Sequence, residues 1–277
     1  RFYQSKTKLM KPFLKWAGGK YKLLKEIKKR LPKGKRLIEP FVGAGSVFLN
    51  IDFDKYLICD SNEDLINLYK IIQNQGPDFI EYSKAHYFDG SSNSENKYKE
   101  LRDKFNSIDK SSNKIDKSAL FLYLNKHCFN GLCRYNSKGL FNVPFGKVTP
   151  YFPEKEIQYF YKMSHKVEFV CQDFTKTMDL AIKGDVVYID PPYATHGKNF
   201  TSYAQKDFIH KDQQNLIKKI IEIQNKGIPV LVSNSDTEWV INKYKKDSEI
   251  TRIDVRRTIS AIGSQRKMTG EVLALFK

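Results

Sequence analysis

Arg36-Leu37-Ile38-Glu39 runs directly into Pro40-Phe41-Val42-Gly43-Ala44-Gly45, and Tyr56-Leu57-Ile58-Cys59-Asp60 follows a short interval later. The first apolar stretch reads as a strand that ends in a glycine turn. Ser46 to Asn50 is expected to open a helix, and Tyr56 to Cys59 to form a second strand closed by Asp60. Strand, glycine turn, helix, strand and acid, in that order, begin a doubly wound α/β fold. Upstream, Tyr21 to Arg30 has helical spacing, with Leu23, Leu24 and Ile27 on one face. Downstream the α/β rhythm lapses. From Asn62 to about Gln158, helical stretches (Glu63 to Gln73, Asn96 to Phe105, Lys117 to Lys126) are followed by a turn-rich aromatic segment, Phe129 to Phe152. The rhythm returns with expected strands at Val167 to Cys171, Asp185 to Ile189 and Pro229 to Val232, and a helix at Asp212 to Asn225. Two last strands, Ile250 to Ile259 and Glu271 to Phe276, flank a basic loop. The simplest account is one α/β domain, residues 10–61 and 159–277, interrupted by a mostly helical insertion, residues 62–158.

The formal net charge is +17 over 277 residues. An excess of this size favours a polyanionic partner, because each phosphate neutralised by Lys or Arg releases condensed counterions. On charge alone, nucleic acid and a lysine-rich composition stand as equal readings. No apolar run approaches the ~20 residues that span a bilayer, and no signal-peptide core is present. A cytoplasmic location is therefore the default expectation. Cys59, Cys128, Cys133 and Cys171 lack the C-x-x-C spacing of a structural zinc site and read as reduced thiols, with no metal expected. The chain begins with Arg1, and Met10 is a candidate start, so residues 1–9 carry no weight.

Phe41-Val42-Gly43-Ala44-Gly45 falls where ligands bind in open α/β sheets. A lone G-x-G is weak evidence. Asp60, closing the next strand, adds an acid placed to accept hydrogen bonds from both hydroxyls of a ribose. The third glycine of the dinucleotide fingerprint is missing, as is a P-loop, so the pocket suits a nucleoside without a pyrophosphate. S-adenosylmethionine is such a ligand. In Lys15-Trp16-Ala17-Gly18-Gly19-Lys20, the glycine pair would hold the amino-acid end of that cofactor, with Lys20 facing its carboxylate. Taken alone, those six residues read more readily as a capped helix start with a core tryptophan.

Asp190-Pro191-Pro192-Tyr193 follows the apolar run Val186 to Ile189. Two prolines cannot continue a strand ladder, so the chain leaves the sheet at its carboxyl edge. The turn aims the Asp190 carboxylate and a proline carbonyl outward beside the Tyr193 ring. That arrangement suits an aromatic amine whose lone pair is delocalised. Two acceptors on its N–H bonds draw the nitrogen toward sp³ while the tyrosine stacks on the base. A structural turn at a strand end is the plainer alternative, which the apolar strand and the upstream glycine turn count against.

Six segments carry a family likeness: Phe13 to Lys20, Glu39 to Asn50, Phe121 to Asn125, Asn130 to Asn136, Phe141 to Gly146 and Asp190 to Tyr193. In matching order from Phe13 to Phe276, the chain resembles the Dam family of bacterial and phage DNA adenine methylases, most of all its enterobacterial members. The resemblance implies a Rossmann-like class I methyltransferase domain with an inserted, mostly helical target-recognition domain. It implies transfer of methyl from S-adenosylmethionine, leaving S-adenosylhomocysteine, to adenine N6 within GATC in double-stranded DNA. It further implies that Trp16, Lys20, Asp60 and Asp190 line the cofactor site with Glu39 and Phe41 near them, and that Asp173 and Phe174 meet the cofactor's adenine. Lys15, Leu132 and Arg134 fall at positions that read target bases, Asn130 lies next to them, and Phe129 matches the aromatic residue that wedges into the duplex.

The departures are specific. Phe129 stands where the enterobacterial members have Tyr, losing a hydroxyl and keeping the stacking face. Lys147 replaces an Arg that reads a guanine, a point donor in place of a bidentate fork, which loosens specificity there by ~1–3 kcal/mol. Lys126-His127-Cys128 also differs. Arg256, Arg257, Arg266 and Lys267 form a second candidate phosphate grip, or a solvated basic turn. Action as a monomer is expected. An RNA or protein-glutamine methylase, and a non-catalytic DNA-binding protein, are the rival readings. The acid of the D-P-P-Y turn, the aromatic wedge and the unbroken motif set argue against them.

Overall fold

The computed structural model describes residues 9–91, 93–109, 114–147, 150–193, 210–256 and 268–277. Seven strands form one sheet: β1 (Arg36–Glu39), β2 (Lys55–Asp60), β3 (Val167–Cys171), β4 (Asp185–Ile189), β5 (Val230–Ser235), β6 (Glu249–Arg256) and β7 (Met268–Phe276). Their order is β3-β2-β1-β4-β5-β7-β6. The first five strands are parallel, and β7 runs antiparallel between β5 and β6. Strand alternation sends neighbouring residues to opposite faces. Leu37, Tyr56, Ile58, Val186 and Tyr188 join one core cluster, while Ile38, Leu57, Val187 and Ile189 join the other. Every residue of β4 and β5 is buried, as expected for strands covered on both faces.

The order reverses between β1 and β4, each of which pairs in parallel with the other. At the amino end of this seam, Arg36 forks onto Asp185 through Nε (3.1 Å) and Nη2 (2.6 Å). At the carboxyl end the two chains diverge, which leaves the crevice where such sheets bind ligands.

The helices are α1 (Leu24–Arg30), α2 (Glu63–Tyr87), α3 (Glu95–Ser107), α4 (Lys114–His127), α5 (Glu154–Ser164), α6 (Phe174–Asp179), α7 (His210–Asn225) and α8 (Glu238–Tyr244). Three findings differ from the sequence expectation. No helix follows the glycine turn. Ser46 to Asn50 makes a single turn, with Leu49 N–H on the Gly45 carbonyl and Ile51 N–H on that of Val47. Asn50 stops it by donating its side-chain amide to the Ser46 carbonyl and to Met10. Second, α2 continues past Gln73, because Pro77 sits just after a kink at Gln75 (φ −140°, ψ 36°), early in the helix's second half. Third, α5, α6 and α8 are additional. The last two are short, and α5 buries only Ile157, Phe160 and Ser164.

The helix α2 serves both parts of the molecule. Its Leu65, Tyr69 and Ile72 belong to the same continuous core as the sheet residues and as Tyr98, Phe121, Leu132 and Phe141 of the helical and aromatic stretch. Position 158 lies inside α5. Arg257, Arg266 and Lys267 of the basic loop lie outside the described residues, and Arg256 ends β6.

Candidate active site

The glycine turn after β1 is fixed from three directions. Gly43 and Gly45 adopt φ of 49° and 77°, in the left-handed region where only glycine is unstrained. A Cβ on Gly43 would lie 2.8 Å from Trp16 Nε1, so the indole packs directly on the turn. Asp60 accepts from Gly43 N–H (3.1 Å) with one oxygen and from Asn62 N–H (3.0 Å) with the other. Tyr69 of α2 donates its hydroxyl to the Gly43 carbonyl at 2.5 Å. Burial raises the Asp60 carboxyl above its ordinary range, against the pull of these backbone bonds. A carboxylate has about four lone-pair sites, so both oxygens keep room for further donors.

Glu39, the last residue of β1, is 2% exposed, and its Oε1 has no hydrogen-bond partner among the described residues. Burial holds its carboxyl well above the usual carboxylate range. A buried, unmatched acceptor at a strand end is a place for a cationic donor. Nearby, Phe41 stacks on Phe174 with centroids 5.2 Å apart. The exposed Asp173 caps α6 by accepting from Thr175 N–H at 2.9 Å.

The second half of the site lies where β4 ends. Lys20, 4% exposed, opens a 3₁₀ turn, and its ammonium lies 2.7 Å from Asp190 Oδ1, 2.7 Å from the Gly18 carbonyl and 3.4 Å from Glu271 Oε1. It also sits 4.9 Å from the centroid of the Tyr193 ring. Burial alone would lower the lysine pKa; Asp190 and Glu271 outweigh it and raise it, so Lys20 stays protonated. The Asp190 carboxyl is pushed up to about 6 by burial, with Lys20 opposing the shift and Glu271 adding to it. Gln213 of α7 donates to the Pro192 carbonyl at 2.8 Å. The Tyr193 hydroxyl donates to Glu271 Oε1 at 2.7 Å, and the Ser233 hydroxyl to the same oxygen at 2.6 Å.

The turn-rich stretch after α4 forms a second cluster. Asn125 grips the backbone of Lys15 from both sides, accepting from its N–H (2.9 Å) and donating to its carbonyl (2.7 Å). Gly131 (φ 64°) packs on Lys15 so tightly that a Cβ would lie 2.2 Å from that of Lys15. Phe129 is 40% exposed and Asn130 takes φ 54°, while Leu132 is buried. Arg134 is braced by Asn142, donating from Nε to the side-chain oxygen (2.8 Å) and from Nη2 to the backbone carbonyl (3.1 Å). Lys147 is exposed at φ 52°. Burial and the neighbouring Lys15 bring the Lys126 ammonium down to about 8.

The structure thus brings Trp16, Glu39, Gly43 and Asp60 around one turn, and Lys20, Asp190 and Tyr193 around one ammonium. Lys20, read from the sequence as facing a cofactor carboxylate, lies on that of Asp190. Sequence reasoning missed Glu271, Ser233, Gln213, Asn125 and Asn142. The one available signal was an acid opening the apolar run Val272 to Phe276, and its meaning depends on β7 pairing antiparallel to β5.

A seven-stranded sheet in this order, with its seventh strand reversed, is that of class I methyltransferases. The acid-Pro-Pro-aromatic turn after the fourth strand is the one expected, from the sequence, of those that modify an amino nitrogen. The D12 class N6 adenine-specific DNA methyltransferase family matches residues 16–259, and the chain belongs to it. It is similar to the DNA adenine methylase of Serratia marcescens, 46% identical over 269 residues that cover 96% of this chain and 98% of that one. Those of Escherichia coli K12 (44% over 268 residues; 96% and 95%) and Vibrio cholerae (43% over 274 residues; 97% of each) are alike. Its reaction is methylation of adenine N6 in DNA. Among the described residues no helix is long and apolar enough to cross a membrane.

Proposed function

We propose that the chain transfers methyl from S-adenosylmethionine to N6 of an adenine turned out of duplex DNA at GATC, acting as a monomer. One observation carries the reading. Asp190, Lys20 and Tyr193 meet at the carboxyl edge of β4, beside a glycine turn that carries an acid on each side.

The donor set at the glycine turn fits the cofactor. Asp60 has acceptor capacity for two ribose hydroxyls, Glu39 Oε1 for the ammonium of the methionine part, and Phe41, Asp173 and Phe174 for the adenine edge and face, with Trp16 and Gly45 completing the cradle. When bound, S-adenosylmethionine supplies a methyl group already activated by its sulfonium.

The rest of the chemistry falls to the chain. Asp190 and a proline carbonyl accept the two N6–H bonds of the target. Gln213 already takes one lone pair of the Pro192 carbonyl, which leaves the Pro191 carbonyl as the less encumbered acceptor. Asp190 takes the proton released as the nitrogen gains its fourth bond. Lys20 holds that carboxylate in place, and Tyr193 offers its ring to the base. Turning the adenine out costs a few kcal/mol. Phe129, exposed beside a braced loop, fills the gap. Arg134, Lys15, Leu132 and Asn130 read bases, and Lys147 meets the outer guanine less strictly than an arginine fork would. Residues 62–158 act as the target-recognition unit, tied to residues 10–61 through Lys15 and Asn125.

The test is incorporation of labelled methyl into unmethylated plasmid, mapped base by base. N6-methyladenine at GATC is expected, with some leakage at the outer guanine. No N6-methyladenine at any ionic strength would overturn the reading; methylation at unrelated adenines would overturn GATC alone.

A further inference from the structure

We infer that Glu271 is a positioning residue for methyl transfer: its carboxylate fixes the Tyr193 ring through the phenol hydroxyl and shares the Lys20 ammonium with Asp190. The inference deepens the reading above and rests on it.

The geometry is specific. Glu271 sits near the start of the reversed strand β7, in register with Ser235 of β5. Because β7 is antiparallel, its amino end lies at the carboxyl edge of the parallel strands, where Asp190 emerges. One oxygen, Oε1, accepts from Tyr193 (2.7 Å) and Ser233 (2.6 Å) and lies 3.4 Å from Lys20 Nζ. The side chain is 12% exposed. Tyr193 follows two prolines, whose rings fix φ and leave the side-chain torsions of the tyrosine unconstrained. A phenol anchored at its far end holds the ring plane against those torsions. Ser233, supplied by a fully buried strand, orients the carboxylate in turn.

The second effect is electrostatic. Asp190 is faced by Lys20 from the 3₁₀ turn, Glu271 from β7, Glu39 from β1, Tyr188 from β4 and Tyr193 from its own turn. Glu271 is a second carboxylate on the same ammonium, so it weakens the hold of Lys20 on Asp190 and keeps Asp190 a better proton acceptor.

Four forms of the full chain test this, beginning with the wild-type protein. If wild-type protein methylates no adenine, the functional reading fails and not this inference alone. Given turnover, Glu271→Gln keeps an acceptor for Tyr193 and removes the charge. The acidic limb of its kcat/KM profile should move to lower pH by about one unit. Glu271→Ala frees the ring, and its kcat on duplex DNA should fall ~10²-fold with S-adenosylhomocysteine affinity unchanged. Tyr193→Phe combined with Glu271→Ala should be no worse than Glu271→Ala alone. A purely structural role would lower melting temperature and leave the pH limb unmoved. An unmoved limb in Glu271→Gln, or wild-type kcat in Glu271→Ala, would overturn the inference. Should Glu271→Ala fail to fold, the limb of the near-isosteric Glu271→Gln decides.

Discussion

In the proposed reaction Asp190 is asked to do two things that pull against each other. It must be ionised to accept the N6–H bond, and basic enough to keep the proton. Burial supplies the basicity and Lys20 the ionisation, with the balance near 6. A carboxyl with this raised value is charged above about pH 6 and protonated below it. The expected kcat/KM profile is therefore flat at neutral pH and falls tenfold per unit below about 6; a limb near 4 would place the essential carboxylate in an exposed, ordinary setting. Asp190→Ala should retain some binding of S-adenosylhomocysteine, because the turn around Gly43 and Asp60 is untouched, while transfer drops by ~10²-fold or more. Substantial turnover in that variant removes Asp190 from the chemistry. Arg134 poses a different question. Its guanidinium is braced by Asn142 before any DNA arrives, so little entropy is lost on binding. Arg134→Ala should cost ~1–3 kcal/mol of preference for GATC over sites changed at one base. Equal weakening on all sequences would make Arg134 a phosphate contact.

At the scale of elements, the contact between the amino-terminal segment and the loop after α4 couples the two halves of the site. Lys15 is held by Asn125 through both backbone groups and by the absence of a side chain at Gly131. Gly131→Ala adds a Cβ into Lys15 at a positive φ, so the loop must move. The predicted phenotype is lost discrimination among DNA sites, with cofactor affinity near wild type and a stability loss of ~1–3 kcal/mol. Cofactor binding and sequence preference failing together would mean that the two halves are less separable than their contacts indicate. The glycine turn works by the same logic: Trp16 occupies the place a Cβ at Gly43 would need, which explains a glycine there without appeal to the ligand.

For the whole molecule, one core runs from the sheet through α2 into α3, α4 and the aromatic turn segment. The loop proposed to read DNA is therefore mounted on the same packed interior as the sheet, which suits a site that must hold a base and its donor in register. The charge of +17 acts at this scale. If it serves DNA, log affinity should fall linearly with log salt with a slope of about −5 or steeper. A slope near zero would leave the lysine excess as composition only.

The positions of the strands along the chain, the glycine turn, Asp60 and the D-P-P-Y turn were all legible in the chain, because each is a local pattern in which apolar periodicity stops at residues of restricted or unusual backbone freedom. The single turn at Ser46 and the resumption of α2 after its kink were not, since Asn50 stops the first through Met10, far away in sequence, and Pro77 opens a second helical half after Gln75 instead of ending the helix. Glu271, Ser233, Gln213, Asn125 and Asn142 lie far in sequence from the groups they hold. Only the reversal of β7 brings Glu271 to Lys20 and Tyr193, and only the packing of Gly131 on Lys15 joins the two halves. Local pattern decided which residues could do chemistry; long-range pairing, invisible to spacing along the chain, decided what holds them still.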